Sequence, residues 1–359
     1  MQVRADHPRQ PVRWVWIYRA RADLFISLCW VPLFVAGWVL AERTGAQADA
    51  NVRLAVAGIL VVSFLHQPLT FALVYGDRTQ FDQHRRLFMW GPPVAIAVIG
   101  LAVWGNLWLV IPVAALWNTV HTLQERYGLS RIYARRAGYG SAFLDRWVLY
   151  AWMTGAALLV ASQRRTPGLV QRVGLAGVNG AGVRLLTDAR PVAVALLVPV
   201  GAAALVLTIA IVRQERAAGR QASRAKWIYQ ASSLVLISSI AVNPIAGFIA
   251  YVGAHALEYS VVVYKTTESR YGRSRPVHSV PPEERPSVLG RLAGTAGGRV
   301  GVMALVAFGA LALASRFQGD GAEVVLFTVG ALHFLYDGFI WKLRKPAVAT
   351  DFAIRPQRS

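Results

Sequence analysis

The chain has 359 residues, is 55 % apolar, and carries 38 Lys and Arg against 18 Asp and Glu, a formal net charge of +20. Its mean hydropathy of +0.42 is too high for an ordinary soluble domain, and its apolar residues come in runs of about 18–23, the length that crosses a bilayer. One cysteine, Cys29, excludes an intrachain disulfide, and basic residues placed between apolar runs set topology rather than bind nucleic acid.

The chain opens on the basic, aromatic "MQVRADHPRQPVRWVWIYRARAD". The apolar run after it is too long for a signal-peptide core and has no clear A-x-A site, so it is expected to remain as a first span. Ten candidate spans follow in order, at about 23–41, 53–75, 88–104, 106–127, 143–162, 190–213, 226–242, 244–265, 299–315 and 322–343. Two of the boundaries rest on breaks within long apolar stretches, "WGN" at Trp104–Asn106 and "VNP" at Val242–Pro244, where a proline ends one helix and can open the next. If either stretch is continuous, the count falls to nine or eight.

With ten spans and the N-terminus inside, the inner segments and Arg146 hold 30 of the 38 Lys and Arg. That asymmetry is the positive-inside pattern and puts both termini in the cytoplasm. The expected organisation is all-α: a cytoplasmic basic N-terminus (1–22), a single transmembrane helical domain (23–343) and a cytoplasmic tail (344–359). The Gly-rich 164–190 loop is then outer. The Pro- and Arg-rich 265–291 loop is inner and could cover a site on that face. Arginine far outnumbers lysine, as in GC-rich bacterial genomes, so the expected location is a bacterial inner membrane.

Polar residues inside the spans carry the functional signal, because hydrocarbon offers them no water. The second span has His66, followed just outside by Asp77, Asp82 and His84. The fourth has His121 and Glu125, the eighth His255 and Glu258, the tenth His333 and Asp337. His121/Glu125 and His333/Asp337 are i, i+4 pairs and His255/Glu258 is i, i+3, so each pair shares a helix face. All four helices run from outside to inside in this topology. Helical rise then puts the four histidines about 9–15 Å from the inner end of their spans, in one layer.

A lone membrane histidine is more often a hydrogen bond between helices than a ligand. Glu125 could pair with Arg126 in water, Asp337 with Lys342 or Arg344, and His84 could belong to a basic loop. Flanking aromatics such as Tyr75, Trp117, Tyr127 and Trp341 suit an interfacial belt. His7 and His278 lie in polar segments and are given no role. The conjunction of three histidine–carboxylate faces with a fourth histidine in one layer instead points to a buried metal site built from several helices, as in four-helix carboxylate proteins.

His66, His84, His121, Glu125, His255, Glu258, His333 and Asp337 are the candidate ligands; some of the carboxylates could instead orient an imidazole from behind. The set exceeds the needs of one four-coordinate zinc. Mixed imidazole and carboxylate donors suit one or two iron ions, with zinc, copper or manganese left open. Tyr259, Gln124 and Asn118 are candidates to donate hydrogen bonds to the reacting oxygen.

In ligand types, and in their depth near the cytoplasmic face of a helical bundle, the chain resembles integral-membrane, histidine-rich non-haem iron enzymes: fatty-acid desaturases, alkane and sterol hydroxylases, and bacterial carotene-cleaving oxygenases. The resemblance is one of architecture. The H-x3-H and H-x2-H-H boxes of desaturases are absent, since no two histidines lie closer than 18 residues. It implies an oxygen-dependent oxidoreductase that hydroxylates, desaturates or cleaves a lipid-like or apolar substrate. No dinucleotide fingerprint or Cys cluster occurs, so electrons would come from a separate donor or the substrate.

Three alternatives use the same residues. A proton or metal-ion transporter needs a polar path through the whole membrane, whereas the outer halves of these spans are apolar ("AVAGILVV", "PIAGFIA"). Axial haem ligation leaves the carboxylates without a task. A zinc-dependent lipid hydrolase needs fewer ligands, with a Glu as base.

Overall fold

The computed structural model describes residues 13–174, 180–272, 288–342 and 352. His7, His278, most of the N-terminal segment and all of the C-terminal tail except Phe352 lie outside these residues, as does the middle of the 265–291 loop. Among the described residues the chain is helical, without strands; one isolated bridge joins Arg13 to Ser223.

Among the described residues, ten long helices overlap the predicted apolar stretches: α1 (Ala20–Ala41), α2 (Ala46–Tyr75), α3 (Arg85–Trp104), α4 (Val110–Ala137), α5 (Ala142–Ser162), α6 (Arg190–Ala218), α7 (Arg224–Val242), α8 (Pro244–Tyr271), α9 (Ala296–Ala314) and α10 (Asp320–Ile340). All but α4 and α5 contain an apolar stretch long enough to cross a membrane, consistent with an integral membrane protein. Helix α4 runs ten residues beyond the predicted span, through "GLSRIYARRA". Leu, Arg and Ala keep a helix going after the apolar residues stop. It ends where Gly138 turns left-handed, at φ 79°, with its amide bonded to the Ala134 carbonyl.

Both inferred breaks are real helix ends. Between α3 and α4 the chain turns through Gly105 and Asn106, the latter at φ 50°. Between α7 and α8 there is almost no loop: Asn243 caps α8 through its side chain, which accepts from Ala246 N, and Pro244 takes the first helical position, where its missing N–H costs nothing. The reversal is tight enough that a Cβ on Gly247 would stand 2.4 Å from the Ile240 backbone.

Two further breaks lie inside spans. At Cys29 in α1, Pro32 cannot donate to the preceding turn. In α2 the helix breaks at Gln67, just before Pro68, and Gln67 N and Thr70 N fall back on i−3 carbonyls at 3.2 Å each. This second kink falls between His66 and Thr70.

Helix α8 is the axis of the bundle. From Ile245 to Glu258 most of its side chains are buried, and it packs on α1, α2 and α7. Close approach explains its glycine at 253, where a Cβ would meet Ile59 at 2.6 Å and Leu33 at 2.8 Å. By contrast α6 and α9 leave rows of Val, Leu, Ile and Phe exposed, as lipid-facing helices do. One apolar cluster joins α1, α4, α5, α6, α7 and α8 around Trp30, Leu149 and Leu236. Another joins α2, α3, α8 and α10 around Phe88, Tyr259 and Tyr336.

Candidate metal centre

Four helices, α2, α4, α8 and α10, bring His66, His121, His255 and His333 together. All four are buried. Ring centroids lie 4.7 Å apart for His66–His255, 4.9 Å for His66–His333 and for His121–His333, and 5.2 Å for His121–His255. Glu125 and Asp337 complete a set of six donors. Within it, three overlapping groups have donor atoms inside 4.8 Å of one another: His66/His255/His333, His121/His333/Asp337 and His121/Glu125/His255.

The finer distances suit a hydrogen-bond network and a metal cradle alike. His66 Nε2 lies 3.2 Å from His333 Nε2. His255 Nδ1 lies 3.0 Å from Glu125 Oε2, and His121 Nε2 lies 3.4 Å from Glu125 Oε1 and 3.8 Å from Asp337 Oδ2. Donors bound to one metal at about 2.0–2.2 Å stand about 3.0–3.6 Å from each other, the range these pairs cluster around. Yet His121 Nε2 and His255 Nε2 are buried without a hydrogen-bond partner, while His66 bonds the Ser63 backbone and Asp337 bonds Glu125. Each such atom costs about 1–3 kcal/mol, and a cation seated between the donors would give both a partner.

The Asp337 carboxylate is held from one side. Oδ1 accepts from Tyr259 OH at 2.9 Å and from Thr70 Oγ1 at 3.0 Å, while Oδ2 points toward His121 and His333. Thr70 Oγ1 also lies 2.7 Å from His333 Nδ1. Whether its one hydroxyl proton goes to Asp337 or to Tyr259 OH, 2.5 Å away, the threonine oxygen is left to accept from His333 Nδ1–H. His333 Nε2 is then bare, the tautomer a ligand needs.

The remaining predicted residues lie apart from these six donors. Glu258 is buried but forms an ion pair with Arg126, whose Nη1 donates to Ser233 Oγ at 3.0 Å; it belongs to none of the three groups. Arg126, with Glu258 rather than Glu125 as its partner, is fully buried. His84 precedes α3 with its ring 5.0 Å from Phe339 and 6.0 Å from Phe88, also outside the groups. Asp77 caps a short helix, Arg78–Gln83, by accepting from Thr79 N and Gln80 N, and it receives the Tyr271 hydroxyl. Asp82 pairs with Arg78 at 3.5 Å on the surface. Gln124 is exposed and Asn118 half-buried. Of the three hydrogen-bond candidates, only Tyr259 reaches the cluster, and Asp337 pairs with it and Thr70 rather than with Lys342.

Thr70, which touches His333 and Asp337, and Arg126, the buried partner of Glu258, have contacts that the sequence did not lead us to expect. Thr70 could have been found from its i, i+4 spacing to His66, the spacing of the other pairs. Arg126 had no such signal, since its partners lie on α7 and α8.

Set against family models, curated proteins and solved structures, the chain matches none.

Proposed function

We propose that this chain is a ten-span membrane oxidoreductase with both termini in the cytoplasm, holding one or two iron ions between α2, α4, α8 and α10 and using dioxygen to oxidise an apolar substrate. The observation that carries the reading is the gathering of four buried imidazoles and two carboxylates, one of them half-buried, with donor atoms within 4.8 Å of one another in three overlapping groups. Donors of this mixed kind, without a thiolate, suit iron, and they come from facing helices as in carboxylate-bridged bundle sites. Bound iron supplies the one-electron and dioxygen chemistry that amino-acid side chains lack.

The chain's own residues do the rest. Tyr259 and Thr70 fix one oxygen of Asp337 and aim the other; Thr70 also fixes the His333 tautomer. Burial between the helices keeps bulk water out. Hydroxylation or desaturation requires two electrons from a separate donor for each dioxygen reduced, whereas cleavage of a conjugated double bond into two carbonyls places both oxygen atoms in the products and needs none.

The test is to incubate the iron-loaded protein in nanodiscs with ¹⁸O₂, a chemical reductant and a panel of fatty acids, alkanes and carotenoids. Dioxygen uptake that depends on one class of substrate, with an oxidised product, supports the reading. No uptake with any of them, while an ester-linked phospholipid incubated separately in H₂¹⁸O yields a labelled fatty acid, would replace it with a hydrolase.

A further inference from the structure

A cavity of about 330 Å³ lies between α2, α8 and α9, and His66 forms part of its wall. The rest of the lining is almost wholly apolar, with Val62 and Leu69 from α2, Leu257 from α8, and Met303 and Ala307 from α9. Ser260 also faces it, but its hydroxyl is engaged by the Ala256 carbonyl of its own helix at 2.8 Å. Its volume is within the range of sites that hold small molecules, about 300–1,000 Å³.

Position and polarity say what it fits. Val62 and Val300, both lining residues, are exposed on the flank of apolar helices, so the cavity opens sideways toward lipid rather than toward an aqueous face. From Ala256 to Tyr264 the α8 wall runs about 12 Å at helical rise. One end is polar: Tyr264 OH accepts from Arg299 Nη2 at 3.4 Å, and Glu268 and Lys265 continue the charged group. Along the remainder only His66 interrupts the hydrocarbon.

We infer that this cleft is the substrate channel of the metal centre. It takes a long hydrocarbon chain from the bilayer, with the polar end of the molecule at Tyr264 and Arg299 and its methylenes alongside His66. The inference rests on the oxidase reading for the task of the site, but the binding of a chain there is a separate observable.

The test is photolabelling of the metal-loaded protein in nanodiscs with a diazirine-bearing C16 fatty acid and, in parallel, a phosphatidylcholine carrying the same chain. Labelled residues are mapped by mass spectrometry. The expected result is label on Val62, Leu257 or Met303, reduced at least ten-fold by Ala304→Trp, which fills the cleft from α9. Ala304→Leu serves if the larger ring disturbs insertion. Label from the fatty acid alone identifies a free amphiphile; label from both probes identifies a membrane acyl chain. Label spread evenly over the exposed faces of α6 and α9 and unchanged in the Ala304 variants overturns the inference. Metal content of the same samples separates the two claims. A labelled cleft in a protein that binds no metal keeps the chain-binding site and removes the oxidase, whereas a metal-replete protein with an unlabelled cleft does the reverse.

Discussion

His66 Nε2 stands 3.2 Å from His333 Nε2, although 267 residues separate the two in sequence. Two bare imidazole nitrogens at that distance repel, and two protonated ones clash; a shared proton or a shared cation is required. Thr70 bonds the other nitrogen of His333, and His66 also bonds the Ser63 backbone. Either one N–H···N hydrogen bond joins the pair or both nitrogens face one cation.

If that is a metal, removing it should destabilise the protein, because metal binding to the native site adds directly to folding free energy. Chelator-treated protein should unfold at a clearly lower temperature in detergent, and iron added back anaerobically should restore the original midpoint. An unchanged midpoint would mean that the unpartnered atoms are satisfied in some other way.

Thr70 acts through His333 and Asp337 rather than on a substrate. Thr70→Val keeps shape and loses the hydrogen bonds to His333, Asp337 and Tyr259, and loss of such an outer partner typically weakens metal affinity by about 10–100-fold. Thr70→Ser should recover most of it. Titration with a competing chelator distinguishes this from a packing effect, which Ser would not rescue.

The Arg126–Glu258 pair should matter for folding and not for metal. Removing one partner strands a buried charge, at about 3–5 kcal/mol, whereas replacing both with apolar residues is often neutral. Thus Arg126→Met should lower thermal stability sharply, and Arg126→Met with Glu258→Leu should restore it while metal content stays at the wild-type level. Loss of metal in the stable double variant would return Glu258 to the ligand set.

The α7–α8 reversal gives a prediction independent of the site. Gly247→Ala puts a Cβ 2.4 Å from Ile240 backbone, which no rotamer can relieve, so it should reduce the yield of folded protein. Gly58→Ala, where a Cβ meets nothing within 4 Å, should be silent by the same measure.

Much of this architecture was legible in the sequence, since an apolar run in a bilayer has few alternatives to a helix. "WGN" and "VNP" mark helix ends because Asn106 adopts a left-handed conformation and Pro244 takes a first-turn position. The four histidine helices were also legible, because hydrocarbon makes each buried imidazole conspicuous. Which carboxylate serves which partner was not. Glu125 and Glu258 look equivalent on paper, each one turn from a histidine. At about 100° per residue, however, i+4 lies about 40° from its histidine and i+3 about 60° to the other side. Glu125 thus stays with the imidazoles, and Glu258 turns to Arg126. The cleft beside His66 depends on how α9 leans on α2 and α8, and no single-helix pattern records that.

The most direct measurement is elemental analysis of the detergent-purified protein, with an ultraviolet–visible spectrum, for the wild type and for His121→Ala/His255→Ala/His333→Ala. One or two irons per chain with no Soret band, lost in the triple variant while the protein still inserts, is the result this account predicts. No metal after anaerobic reconstitution with iron, or full retention of metal in the triple variant, would contradict it.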